Sequence, residues 1–133
     1  MPNQPPIIKQ GEIYWCDPDP QKKDTVGSEQ EGHRPWLIVS REELTRGNCV
    51  VGLPLSRHVE KALHHLIAIP ARHISVQDGT DVMDRVALTD QIRCLDKTRL
   101  RRKLGELSPD GVKSVFTGLD YLFGRSYPSP LAN

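Results

Sequence analysis

The sequence predicts a mainly β fold: a small, strongly bent sheet or barrel with one helix packed on it. Three observations lead to this prediction. Five or six short apolar, β-branched runs alternate with turn-forming residues. A single strong helical pattern follows them near the end of the chain. No repeat or linker divides the 133 residues, so we expect one domain spanning 1–133, with a core from about 8 to 124 and loosely ordered termini.

The strands are predicted from apolar runs that end at Pro, Gly or Asp. A helical turn over residues 41–44, capped by Ser40, is predicted between the second and third runs. Residues 71–84 are polar and rich in turn formers, so they are predicted to form a loop or irregular insert. The predicted strands cover 12–16, 36–40, 49–53 with a stop near Pro54, 63–69, 85–88 paired with 92–95, and 100–107.

The terminal helix has clear start and stop signals. Ser108 is placed to cap it, Pro109 suits the first helical position, and Asp110 puts an acid in the first turn. Apolar residues then recur at a spacing of three and four from 112 to 123, which gives the helix one apolar face. Gly124 is predicted to end it.

Composition excludes several classes of protein. The net charge of +1 gives no overall basic surface, so any nucleic-acid site must be local. Three cysteines lie far apart without a CxxC spacing, which favours buried, reduced thiols over disulfides or zinc. The histidines lack a partner cluster, so no metal site is predicted. No stretch resembles a signal core or a membrane span, and we expect a soluble, cytoplasmic protein.

One polar stretch carries a concentration of chemically capable side chains. Residues 21–33 are polar and glycine-punctuated, and they lead directly into an apolar strand. Pro35 favours an extended backbone at Arg34, so Arg34 is predicted to lie where a loop becomes a rigid strand. Taken alone, Arg34 is better explained by an ion pair with Glu29 or Glu31.

Short motifs along the chain, taken in order, change that balance. They are GSEQ at 27–30, GHRP at 32–35, PLS at 54–56 and DQIR at 90–93. With GEIYW at 11–15, this combination resembles the MazF/PemK/Kid family of toxin endoribonucleases over residues 10–123. Any one of these motifs would be weak by itself, but their combination and order are specific.

The resemblance implies an SH3-like barrel that forms a homodimer. It implies sequence-selective cleavage of single-stranded RNA without a metal or other cofactor, through attack of the 2′-OH, to leave 2′,3′-cyclic phosphate and 5′-OH ends. It also implies a cognate antitoxin that neutralises the toxin and binds DNA together with it in autoregulation. No membrane partner is implied.

Site residues are carried over position by position. The resemblance places the family's catalytic arginine at Arg34 and its catalytic threonine at Ser56, where this chain keeps the hydroxyl but lacks the methyl group. Further candidates for catalysis are Glu29 and Asp90. The candidate RNA-binding residues are Ser28, Gln30, His33, Arg57 and Gln91.

The chemistry of RNA cleavage fits these residue types. RNA carries its own nucleophile, so the protein must accept a proton, neutralise charge on the phosphate and help the 5′-oxygen leave. The planar guanidinium of Arg34 suits phosphate neutralisation. Glu29, His33 and Asp90 are candidate acids or bases that the sequence does not rank. Asp90 is explained equally well as a turn residue.

Two other interpretations stay open at this point. A gyrase-poisoning protein of the CcdB type would share the barrel and act by binding, although the helix here ends in Tyr121-Leu122-Phe123-Gly124 and not in the tryptophan–glycine ending such a protein would need. A degenerate relative would keep the fold and bind RNA or a partner without cutting, and Ser56 in place of threonine keeps this alternative open.

Overall fold

The computed structural model describes residues 7–17, 34–61 and 66–125, and these form eight β-strands and one α-helix. Short 3-10 turns connect several of the strands. The elements are β1 (Glu12–Cys16), β2 (Arg34–Ile38), β3 (Cys49–Ser56), β4 (Ile67–Ile69), β5 (Ile74–Val76), β6 (Arg85–Ala87), β7 (Arg93–Asp96), β8 (Leu100–Leu107) and α1 (Pro109–Leu122).

The strands form one strongly curved antiparallel sheet. Its order is β4-β6-β3-β2-β1-β8-β5, and β7 pairs with β3 beside β6. The sheet is a nearly closed barrel, and α1 packs on it through Val115 and Leu119, which join the main core with Ile13 and Leu53. The predicted fold class, mainly β with one C-terminal helix, is confirmed.

The central strands are buried on both faces. In β2, Leu37 belongs to the main core between sheet and helix, whereas Trp36 and Ile38 belong to a second cluster on the opposite face. Because side chains alternate between the faces of a strand, a strand covered on both sides needs a continuous apolar run. The run from Trp36 to Val39 meets that need, and its burial holds in place the strand that begins at Arg34.

Pro54 lies inside β3, so the prediction that this strand stops near Pro54 is wrong. On one side, Pro54 is the register partner of Trp36 in β2. On the other side, β3 pairs with β7 up to Gly52 and with β6 from Leu55 onward. Proline lacks an N–H to donate, and here it occupies the gap between two neighbouring strands. Its carbonyl still accepts a hydrogen bond from the backbone N–H of Leu88 at 3.0 Å.

Four other predictions differ from the structure. The second strand, predicted over 36–40, is Arg34–Ile38. The insert at 71–84 contains β5, a three-residue strand that pairs with β8. The runs at 85–88 and 92–95 are extended, but each pairs with β3 and not with the other. The helical turn is a 3-10 helix over Glu42–Arg46, and Ser40 does not cap it. The Ser40 hydroxyl accepts instead from the Val51 backbone N–H at 3.1 Å.

The boundaries of β1, β8 and α1 match the predictions. The Ser108 hydroxyl accepts from the Gly111 N–H at 3.1 Å and caps α1, while Gly124 follows the helix with a positive φ of 74°. The ring Nδ1 of His73 lies 2.8 Å from the same hydroxyl, which attaches the start of the helix to the segment before β5. Of the predicted strand at 63–69, residues 67–69 form β4, and 62–65 lie outside the described residues, as do both extreme termini.

Candidate active site

Arg34 is the first residue of β2, at the edge where the chain enters the barrel. It is half-buried, and its Cα partner on β1 is Cys16. The strand behind it is anchored by Leu37 and Ile38, which are almost completely buried. The backbone of Arg34 is therefore held by a rigid sheet. A residue that positions a reacting group needs such support.

The register of β2 and β3 brings the ends of these two strands together. Leu37 is opposite Leu53, and Trp36 is opposite Pro54. If the same antiparallel register is carried two residues further, Arg34 lies opposite Ser56, the last residue of β3. A guanidinium and a hydroxyl thus belong to the same end of two adjacent strands.

Ser56 is buried, with 4% of its surface exposed. Its hydroxyl oxygen accepts a hydrogen bond from the backbone N–H of His58 at 3.0 Å, which closes the turn after β3. A hydroxyl that accepts one bond still has its own hydrogen to donate. Ser56 can therefore shape the strand end and also present a donor there. Arg57, the next residue, is exposed.

Asp90 and Gln91 lie on a 3-10 turn between β6 and β7. Both residues are exposed, whereas Thr89 beside them is fully buried and anchors the turn. The Gln91 N–H donates to the Leu88 carbonyl at 3.0 Å. Since β6 and β7 both pair with β3, this turn is tied to the strand that carries Ser56.

The remaining predicted site residues belong to the segment before β2. Ser28, Glu29, Gln30 and His33 lie outside the described residues, so their roles stay predictions. Arg34, Ser56, Arg57, Asp90 and Gln91 lie within the described residues, and their catalytic or binding roles are likewise predictions that rest on position.

Comparison with known proteins decides the family. A family described as "PemK-like, MazF-like toxin of type II toxin-antitoxin system" matches residues 9–123. This chain belongs to that family. Endoribonuclease MazF from Staphylococcus saprophyticus is 31% identical over 121 residues, which cover 89% of this chain and 92% of that protein.

Solved structures of PemK/MazF toxins share the fold. MazF from Deinococcus radiodurans is 25% identical with a TM-score of 0.66, over 90% of this chain and 99% of its own. A mycobacterial endoribonuclease in complex with its cognate antitoxin is 24% identical with a TM-score of 0.65, over 91% of this chain and 99% of its own. The predicted family and enzyme class are confirmed, and the endoribonuclease interpretation is supported over a CcdB-like or non-catalytic binding protein.

The basic side chains of β8 form salt bridges with acidic side chains. Lys103 contacts Glu12 at 2.8 Å and Glu106 at 2.9 Å. Arg101 pairs with Asp17. These partners favour a structural role for the basic run over a path for the RNA phosphates.

Asp78 is a structural residue that the sequence did not single out. Its carboxylate accepts from Trp15 Nε1 at 2.9 Å and from Arg102 Nε at 2.8 Å, and the guanidinium lies 5.7 Å from the centre of the Trp15 ring. Burial raises the pKa of Asp78, but hydrogen bonds from Thr80, Arg102 and Trp15 outweigh it and lower the pKa below its ordinary value. Asp78-Gly79 had the composition of a turn, and nothing in the sequence pointed to Trp15 as its partner.

Two observations on the described part of the chain concern metal binding and membrane spanning. Within residues 7–17, 34–61 and 66–125, no three His, Cys, Asp or Glu side chains are grouped so that they could hold a metal ion. Of the helices in this described part, none combines the length and apolar character needed to cross a membrane.

Proposed function

We propose that this endoribonuclease toxin cleaves single-stranded RNA sequence-selectively and without a metal, by attack of the 2′-OH on the adjacent phosphate. The products would be 2′,3′-cyclic phosphate and 5′-OH ends. One observation carries the proposal: the β2–β3 register, which directs Arg34 and Ser56 to the same end of adjacent strands. A guanidinium and a hydroxyl together supply a fixed positive charge and a neutral donor for one phosphate group.

Arg34 has the role of stabilising charge in the transition state. As the 2′-oxygen attacks, negative charge builds on the non-bridging phosphate oxygens. A guanidinium presents two parallel N–H donors to such oxygens and stays protonated at every physiological pH. The anchored start of β2 supports this role, because a preorganised donor needs no reorganisation during the reaction.

Proton transfer is assigned to a carboxylate or to the imidazole among the candidate residues. Asp90 is exposed to solvent on the turn that follows β6. Glu29 and His33 are the other candidates, with Ser28, Gln30, Arg57 and Gln91 as contacts for the RNA bases and backbone. A general acid or base at one of these positions contributes about 10²–10⁴-fold in rate.

Metal independence is tested with purified toxin and a long, mixed-sequence RNA in excess EDTA. We expect cuts at a limited set of sequences, with cyclic phosphate ends that resist 3′-ligation until they are opened and the resulting phosphate is removed. The matched control is the same reaction with added Mg²⁺, which should leave the cleavage rate unchanged. Loss of cleavage in EDTA, restored by a divalent cation, would contradict the proposal.

Ser56 is tested with two substitutions that separate its hydroxyl from its size. Ser56→Ala removes the donor and the acceptor of the His58 N–H bond, so we expect cleavage to fall and the free energy of unfolding to drop by about 1 kcal/mol. Ser56→Thr keeps the hydroxyl and restricts its rotamer, and it should cleave at least as fast as the natural chain. Equal cleavage by the serine, alanine and threonine forms would remove Ser56 from the mechanism.

We propose two partners for this toxin, a cognate antitoxin and a second copy of the chain. We also propose that it acts in the cytoplasm, where its RNA substrate is found. Antitoxin binding is supported by the mycobacterial complex and by the Deinococcus radiodurans structure described as MazE–MazF, which is 22% identical with a TM-score of 0.64. We expect sedimentation at micromolar concentration to give twice the mass of the chain. A monomer throughout that range would rule out the dimer.

A further inference from the structure

Two of the three cysteines are exposed on one face of two neighbouring strands. Cys49 begins β3, and Cys94 is the second residue of β7. In the β3–β7 register, Cys49 lies opposite Asp96, and Val51 lies opposite Cys94. Because side chains two residues apart point to the same face, Cys49 and Cys94 are diagonal neighbours on that face.

We propose that Cys49 and Cys94 form a dithiol modification site, which thiol–disulfide exchange with a small disulfide converts into an intramolecular Cys49–Cys94 bridge. The natural co-reactant belongs to the class of low-molecular-weight disulfides. This site is separate from the candidate active site, since Cys49 and Ser56 lie at opposite ends of β3.

The surroundings of the two thiols favour an interaction between them. Hydrogen bonding with the Cys94 thiol is the largest cause that raises the pKa of Cys49, and the Asp96 carboxylate raises it further. Two thiols that share a hydrogen bond are close neighbours, so either one can reach a mixed disulfide that has formed on the other.

A bridge requires a small movement of the strand that carries Cys94. Diagonal neighbours have Cα atoms about 7–8 Å apart, slightly beyond the usual disulfide range of about 4.4–6.8 Å. β7 has four residues, and β3 is its only strand partner in the described part of the chain. A shift of about 1 Å in this edge strand closes the difference, and Leu95 of the same strand, which is fully buried in the second core cluster, has to adjust with it.

The exchange proceeds in two balanced steps. One of the two thiols loses its proton to solvent, and its thiolate attacks one sulfur of the small disulfide, which breaks the S–S bond, forms a mixed disulfide and releases one thiolate. The other thiol then loses its proton to solvent, and its thiolate attacks the protein sulfur of the mixed disulfide. The protein bridge forms, and the second small thiolate leaves. The protein loses two electrons and two protons, and the small disulfide is reduced to two thiols.

The experiment uses the folded, full-length chain and oxidised glutathione as the probe. After reaction, free thiols are alkylated and the protein is digested without reductant for mass spectrometry. We expect each chain to have lost two hydrogens, with the Cys49 and Cys94 peptides of the same chain linked. Cys16 serves as an internal control, because it is buried and burial raises its pKa to about 12, so it should be alkylated only after unfolding.

Single substitutions test the need for both thiols. Cys49→Ser should stop the reaction at a stable mixed disulfide on Cys94, and Cys94→Ser should stop it at a stable mixed disulfide on Cys49. A dithiol-specific arsenical gives a second measurement on the unmodified chain, with one molecule bound per chain across both sulfurs. Unreactive thiols, two separate glutathione adducts in the natural chain, or a bridge between two molecules would overturn the proposal.

Discussion

Replacing Arg34 with alanine is expected to lower RNA cleavage by about 10²–10³-fold, the usual cost of removing one donor that stabilises transition-state charge. The fold should survive, since Arg34 is half-buried at the first position of β2 and the core residues behind it are untouched. The measurement is the single-turnover rate on a defined RNA, together with the unfolding midpoint of each protein. Growth inhibition in cells should disappear with the cleavage.

Arg41 provides the matched control for Arg34. It lies beyond the opposite end of β2, its side chain is 70% exposed, and it pairs only loosely with Glu43 at 3.4 Å. Arg41→Ala should therefore cleave at the natural rate. Arg34→Lys keeps the positive charge but loses the planar fork, and it should recover only part of the activity. A folded Arg34→Ala protein that cleaves normally would refute the assignment of Arg34.

Replacing Gly105 with alanine is expected to destabilise the barrel by about 3 kcal/mol, the upper end of the usual cost of overpacking. Gly105 lies in β8 between Ile13 of β1 and Val76 of β5. A Cβ added there would collide with the Ser75 carbonyl oxygen and would come within 2.9 Å of its carbon. Because the obstacle is backbone, the strands themselves must separate. Urea unfolding measures the loss.

Gly47→Ala is the control for Gly105. Gly47 has a φ of −80°, and a Cβ there would meet no atom within 4 Å. The free energy of unfolding should therefore change by less than about 1 kcal/mol, with a small gain expected from the less flexible unfolded chain. If both alanine variants were equally stable, close packing of β8 against β5 would not be needed for the fold.

The elements that the sequence predicted well are those whose signals are local. β1 and β8 are bounded by turn residues, and α1 carries its own cap at Ser108 and its own stop at Gly124. The errors arise where tertiary pairing overrides a local signal. Pro54 is a strand breaker by propensity, yet β3 continues through it because its neighbours change from β7 to β6 at that point.

In the candidate site, too, the features with local signals were predictable and those that depend on tertiary pairing were not. The position of Arg34 at a strand start followed from Pro35 and the apolar run behind it. Its placement across from the end of β3 depends on the pairing of strands that are distant in sequence, which no local pattern encodes. The same holds for Cys49 and Cys94, which were expected to be buried and are exposed neighbours instead. Cys16 alone follows the expectation.

The pairing of Cys16 with Arg34 has a consequence for how such toxins can diversify. The chain leaves β1 at Cys16 and returns at Arg34, and these two residues are Cα partners on adjacent strands. The exit and entry points of the intervening segment are therefore fixed by the barrel, whatever the length of that segment. Doubling the length of a loop costs only about 0.6 kcal/mol in closure entropy. We therefore expect insertions and deletions between these two points to leave the position of Arg34 in the barrel unchanged.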